Sequence, residues 1–306
     1  PEPMSTHTIH HVTAVSARIK DNRQFYTEVL GLRLVKKSVN QDDLSAYHLF
    51  YADAVGTPGT DMTFFDWPDI DTNVPGAGTV ALTSFLVPGS SLDWWVSRLE
   101  EAGSAPFREV DDQDRDRILF SDPEGQRLEL VDSSGLATPA TPYGKVVPEE
   151  NAIQGILGVD LESANPQATR RVLTELLGYT EHGDIFETGD ETSFARVRLV
   201  PAISGRFGRI GSGGIHHVAF RVKDEDEILQ MQDKLERAGL STSGLVNRYY
   251  FQSLYFREPG GILFEMATEG PGFAADEPLE TMGERLALPP FLEPRRQEIE
   301  AGLKPL

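Results

Sequence analysis

Four of the seven histidines stand as two adjacent pairs in matching surroundings, Ile9-His10-His11-Val12 and Ile215-His216-His217-Val218. Each pair sits in an apolar stretch that reads as a strand. Side chains alternate along a strand, so the two rings of a pair are expected on opposite faces. His216 then goes with Val218, Phe220 and Val222 on a face covered by a helix, and His217 goes with Ala219 and Arg221 on the other. By the same count His11 shares the inner face with Thr13. In Gly260-Gly261-Ile262-Leu263-Phe264-Glu265-Met266 the covered face belongs to Ile262, Phe264 and Met266, which leaves Glu265 inside. A carboxylate in an apolar strand is costly unless paired or bound to a cation. Two imidazoles and one carboxylate form the facial triad of non-haem Fe(II) sites, with three positions left open on an octahedral ion. The chain has no cysteine, so thiolate ligands and a thiol nucleophile are excluded, and the metal must accept nitrogen and oxygen donors.

The elements that must hold these residues repeat. Residues 120–130, F-S-D-P-E-G-Q-R-L-E-L, match residues 256–266, F-R-E-P-G-G-I-L-F-E-M, at an offset of 136. The run beginning Leu99-Glu100 matches that beginning Leu235-Glu236 at the same offset, and Thr27 to Gly31 match Thr174 to Gly178 at 147. Four modules follow, roughly 8–68, 79–135, 153–201 and 213–270. Each opens on an apolar strand, continues in a helix that stops at Gly, and closes in short strands rich in Val, Phe, Tyr and Leu. The expected helices run over Asn22 to Leu30, Leu92 to Ala102, Pro166 to Leu177 and Glu225 to Ala238. This predicts an α+β chain of four βαβββ modules, making two cupped mixed half-barrels with helices outside. Domains are expected at 1–145 and 146–306, joined through the Pro-rich linker 136–152, with a short helical tail after Gly270 packed over a module.

The modules differ in what their first and last strands offer a metal. Module one has His11 and no carboxylate beside Phe64; module two has Leu82 and Glu129; module three has Gly158 and nothing on its last strand; module four has His217 and Glu265. Pairing module one with module four completes a triad of His11, His217 and Glu265. Glu129 is then the remnant of a second, dead site, held in an ion pair with Arg127 or a neighbouring module.

Composition bounds the rest. Acids outnumber bases 48 to 28, a net charge of −20, which repels phosphate backbones and argues against a nucleic-acid partner. Seven of the bases are Lys and 21 Arg, a balance that fits either adaptation to high salt or an ordinary acidic enzyme. No apolar run approaches a membrane span and no leader opens the chain, so a cytoplasmic protein is expected. The opening residues, Pro1 to Ser5, read as a remnant of processing.

With those residues in view, the chain resembles the vicinal oxygen chelate superfamily, and within it the hydroquinone-cleaving branch of ring-cleaving dioxygenases. The likeness rests on His10-His11-Val12-Thr13, Tyr47-His48-Leu49-Phe50-Tyr51, Pro58-Gly59-Thr60, Gly214 to Ala219, Tyr255 to Glu265, and Leu288 to Glu293. It implies Fe(II), or Mn(II), on His11, His217 and Glu265. It also implies a small aromatic diol and O2 as substrates, with ring cleavage beside a hydroxylated carbon. In that branch an Arg and a Tyr near the substrate fall on Arg248 and Tyr255, while His10, Thr13 and His216 fall close to the metal. Arg248 and Tyr255 are seven apart, so a turn or bulge must bring them to one face. Homo-oligomerisation is compatible with all of this. The rival readings are a glyoxalase-like lyase or isomerase using Zn, Ni or Mn, and a metal-free binder of aromatic ligands.

Overall fold

A computed structural model describes residues 5–202 and 205–306. Most of the stretch read as a processing remnant therefore lies outside the described residues. Each module is built alike. Module one holds β1 (Ile9–Ser16), α1 (Ile19–Gln24), β2 (Arg33–Asn40), β3 (Asp43–Ala52) and β4 (Asp61–Asp66). Module two holds β5 (Thr79–Val87), α2 (Leu92–Glu101), β6 (Phe107–Val110), β7 (Asp116–Ser121) and β8 (Arg127–Asp132). Module three holds β9 (Ile156–Glu162), α3 (Pro166–Arg171), β10 (Thr180–His182), β11 (Ile185–Gly189) and β12 (Phe194–Leu199). Module four holds β13 (Ile215–Val222), α4 (Glu225–Arg237), β14 (Leu245–Asn247), β15 (Phe251–Arg257) and β16 (Leu263–Pro271).

The strands form two eight-stranded mixed sheets, ordered β14-β15-β16-β13-β1-β4-β3-β2 and β10-β11-β12-β9-β5-β8-β7-β6. The first curls into a half-barrel. Modules one and four share it through the antiparallel pair β1–β13, and modules two and three share the other through β5–β9. Within each module the first strand lies parallel to the last, as β1 does to β4 and β13 to β16.

Helices cover the outer faces for local reasons. Asp224 caps α4 by accepting from the Glu227 backbone N–H at 3.1 Å, acids fill its first turn, and Lys234 and Arg237 fill its last, matching the helix dipole. Ile228, Met231 and Leu235 form its buried stripe, against Phe220, Phe264 and Met266 of the sheet. In modules one and three the expected single helix is broken: α1 gives way to a wider π turn over Phe25–Val29, and α3 to one over Val172–Leu176. At the matching positions Thr27 and Thr174 each donate to the carbonyl four residues back, a bond that bends helices.

The tail returns to module one. Leu286 bridges Lys37 of β2, the Tyr47 hydroxyl donates to the Lys304 carbonyl, and a last helix, α5, spans Arg296–Gly302. Lys36 is fully buried beneath the tail, between Asp276 at 2.7 Å and Glu277 at 2.5 Å. Among the described residues no helix is long and apolar enough to cross a membrane.

Candidate metal centre and its cavity

Side by side, β13 and β1 carry His217 and His11, and β16 next to β13 carries Glu265. His11 Nε2 and His217 Nε2 lie 3.3 Å apart, and Glu265 Oε2 stands 3.0 and 2.9 Å from them. Among the described residues this is the one group of His and acids arranged to hold a metal, and all three are buried. The Ser253 hydroxyl donates to Glu265 Oε1 at 2.5 Å, while Oε2 is buried with no hydrogen-bond partner. Burial pushes the Glu265 carboxyl up, but the His11 and His217 imidazoles outweigh it and hold it well below the usual carboxylate range. An orphaned anionic oxygen facing two imidazole nitrogens fits a divalent cation.

The expected opposition of the paired rings does not hold. Between Ile9↔Phe220 and His11↔Ala219 the register slips by one residue, leaving His10 as the extra; between Thr13↔His217 and Ala14↔Ile215 it slips again, leaving His216. Two β-bulges therefore turn each neighbour toward the ligand rather than under a helix. His10 Nδ1 meets His11 Nδ1 at 2.8 Å, and His216 Nδ1 meets His217 Nδ1 at 2.8 Å. His10 Nε2 lies 2.9 Å from the Thr268 carbonyl, which only accepts, so that nitrogen carries the proton. In neutral His10 the Nδ1 is then bare and accepts from His11 Nδ1–H, which leaves His11 Nε2 a free lone pair aimed at the centre. Burial and the neighbouring ligand imidazole push both His10 and His216 down to about 3, so both rings are neutral. Were His217 to turn its Nε2 lone pair to a metal, its Nδ1–H would donate to His216 Nδ1, and neutral His216 would carry its proton on Nε2.

A cavity of about 290 Å³ opens from the triad. His216 stands on one side, edge-on to Phe65 at 5.3 Å and to Trp67 at 5.7 Å. On the other side Tyr255 meets His217 edge-on at 5.7 Å, and its hydroxyl accepts from Arg248 Nε at 3.1 Å. Arg248 reaches that face from the turn after β14, where Tyr249 takes a positive φ of 73°. Arg248 also reaches Asp42 at 3.4 Å, and Gln41 Nε2 donates to its carbonyl, so two hairpin tips meet at the mouth. Burial, then Glu265, pushes the Tyr255 phenol up, which keeps it protonated. Thr13 lines the cavity and its hydroxyl is paired with that of Thr63 at 2.7 Å. A larger groove of about 1100 Å³ near Lys20, Arg33 and Glu280 is open surface, with none of the triad in its lining.

The chain belongs to the glyoxalase/bleomycin resistance protein/dioxygenase superfamily. Its family model matches residues 8–130 and 154–266. MhqA of Bacillus subtilis, named as a ring-cleaving dioxygenase, is 43% identical over 99% of this chain and 100% of its own. Chlorohydroquinone/hydroquinone 1,2-dioxygenase of Sphingobium indicum is 28% identical over 97% of this chain and 96% of its own. A crystal structure from Bacillus subtilis, titled as a dioxygenase, superposes with a TM-score of 0.90 at 37% identity, covering 99% of this chain and 98% of that one.

Sequence reasoning missed one wall of the cavity. His48, Phe50, Phe65 and Trp67 line it. The signal was present in β3, where Tyr47, Leu49 and Tyr51 are core residues and alternation sends His48 and Phe50 inward. Position Phe64, where a fourth ligand was sought, is in the covered core. Register assigns that slot to Thr63: Ala219, two past His217, pairs with Glu265, and Thr13, two past His11, pairs with Thr63.

The second sheet closes its own cup with ions. Glu129 is buried and pairs with Arg117 at 3.0 Å and with Arg196 of module three at 3.1 Å, not with Arg127. Asp111 joins both Arg196 and Arg198 at 3.0 Å. Gly158 faces Arg196 so closely that an added Cβ would sit 1.6 Å from its carbonyl oxygen.

Proposed function

We propose that this protein is an Fe(II)-dependent dioxygenase that opens the ring of a hydroquinone- or catechol-type diol. The observation that carries this reading is the buried His11–His217–Glu265 centre opening directly onto an aromatic-walled cavity of single-ring size. When bound, the metal would supply Lewis acidity toward a ring oxygen and an electron path between ring and dioxygen. His11, His217 and Glu265 would hold it, with His11 Nε2, His217 Nε2 and Glu265 Oε2 the atoms that converge.

The rest of the work falls to the chain. His10 and His216 fix the ligand tautomers and ring planes. Arg248 holds an anionic ring oxygen, and it orients the hydroxyl of Tyr255, whose ring meets His217 edge-on, for proton transfer. Phe65, Trp67 and Phe251 exclude water and clamp the ring faces. Thr63 in the fourth slot offers no carboxylate base, which weighs against a glyoxalase-like isomerase.

The test is oxygen uptake by the Fe(II)-reconstituted protein in reducing buffer, across hydroquinones, catechols and methylglyoxal with thiol. Uptake matched by loss of aromatic absorbance is expected. A tightly bound metal with no uptake, together with turnover of the methylglyoxal adduct, would replace this reading with the isomerase.

A further inference from the structure

Thr63 occupies the slot that register makes equivalent to Glu265, yet it is tied away from the metal. Its hydroxyl meets Thr13 Oγ1 at 2.7 Å and His48 Nε2 at 3.0 Å. His48 is wedged between Phe50, at 4.0 Å between ring centres, and Phe65, at 4.5 Å. Its Nε2 is engaged, its ring lines the cavity, and among the described residues its Nδ1 makes no hydrogen bond. A histidine in a cavity wall with one nitrogen anchored and the other unengaged is placed to meet a ligand. We propose that His48 binds the ring oxygen that the metal does not hold, and so selects diols whose second hydroxyl stands across the ring. This rests on the ring-cleaving reading of the same site.

Distance and chemistry agree. His48 on β3 lies two strands from His11 on β1, with β4 between them. The register sets His48 opposite Phe65, four residues along β4 from Asp61, the partner of His11, but its ring leans back to the Thr63 hydroxyl, which meets that of Thr13, two residues past His11. The two outer strands stand about 10 Å apart across β4, and His48, His11 and His217 line one cavity that an aromatic ring with an oxygen at each end can span. A catechol brings both oxygens to the metal and leaves His48 unmatched. Burial, then His11 and His217, hold the His48 imidazole well below its ordinary pKa, so the ring is neutral. A neutral imidazole presents either a lone pair or an N–H at Nδ1, depending on which way the hydroxyls of Thr13 and Thr63 point. The chain can therefore accept from a hydroxyl or donate to a carbonyl-like oxygen without moving a side chain.

The experiment is anaerobic calorimetric titration of the Fe(II)-loaded protein with hydroquinone, with 4-methylphenol, which replaces the far hydroxyl by methyl, and with catechol. The readout is the ratio of the 4-methylphenol Kd to the hydroquinone Kd. That ratio is expected to fall about tenfold in His48→Phe, which keeps the shape and loses the bond. It should fall less in Thr63→Val, which cuts the chain behind the ring, and stay near wild type in His48→Gln. The catechol Kd should move little in all three. An unchanged ratio in both His48→Phe and Thr63→Val overturns the assignment while leaving ring cleavage standing. Should His48→Phe fail to fold, Thr63→Val and His48→Gln decide the matter. Failure of the wild type to bind any of the three phenols would overturn both readings together.

Discussion

At the scale of single residues, the centre depends on His10 and His216 as well as on the atoms that would touch a metal. His10 is locked between the Thr268 carbonyl and His11 Nδ1, and that lock decides which nitrogen of His11 is bare. Removing such an outer partner commonly costs about 10- to 100-fold in metal affinity. His10→Phe keeps a ring in place but loses both contacts. It is expected to bind Fe(II) or Mn(II) about 10- to 100-fold more weakly in a chelator competition while still folding. His11→Ala, His217→Ala and Glu265→Gln are expected to go further and leave protein purified with no stoichiometric metal, read by elemental analysis. Full metal content in all three would remove the triad. A smaller effect of His10→Phe than of any ligand replacement is part of the same expectation, because His10 acts only through His11.

At the scale of elements, the repeat made much of the fold legible: matching offsets show four modules, Gly-stopped helices and inward-facing strand positions. The triad was legible because Glu265 interrupts an apolar strand and because His11 and His217 hold matching repeat positions. What alternation could not show was the pair of bulges at His10 and His216, since one extra residue reverses the parity on which the reading depends. Nor could it show that Arg117, Arg196 and Arg198 turn inward to meet Glu129 and Asp111 in the second cup. The elements of that cup are held by charge where the first cup gathers His11, His217 and Glu265. Breaking a buried pair by removing one partner costs about 3–5 kcal/mol, because the other charge stays buried. Glu129→Gln leaves Arg117 and Arg196 facing a neutral amide. Its expected outcome is a loss of stability of that order in denaturant melts, with bound metal unchanged per folded chain. A fall in metal content instead would mean that Glu129 serves a second ion.

At the scale of the whole molecule, charge sets how stability answers pH and salt. Burial lifts Asp122 to about 6, and burial followed by Glu129 lifts Asp160 to about 7. A carboxyl raised in the folded state holds its proton there when the unfolded chain has lost it. Its contribution is full below about pH 4 and is lost as pH rises through about 6 to 7. Asp122→Asn should therefore gain on the wild type between pH 4 and pH 7 by on the order of 3 kcal/mol, read as the difference between their melting curves across that range. Parallel curves would mean that Asp122 is ionised throughout. Salt acts on the net charge of −20. Surface pairs such as Arg296–Glu293 and Arg295–Glu298 are exposed, and pairs of that kind contribute little and are themselves screened. Repulsion among the excess carboxylates outweighs them, so Tm is expected to rise from low salt toward 0.5 M NaCl. The shape of that rise separates the two origins of the acidic surface. Screening saturates once the Debye length falls to about 3 Å near 1 M, so an ordinary acidic enzyme should plateau there. A protein adapted to brine should keep gaining stability and activity beyond 1 M, because specific hydration of its carboxylates continues after screening has ended.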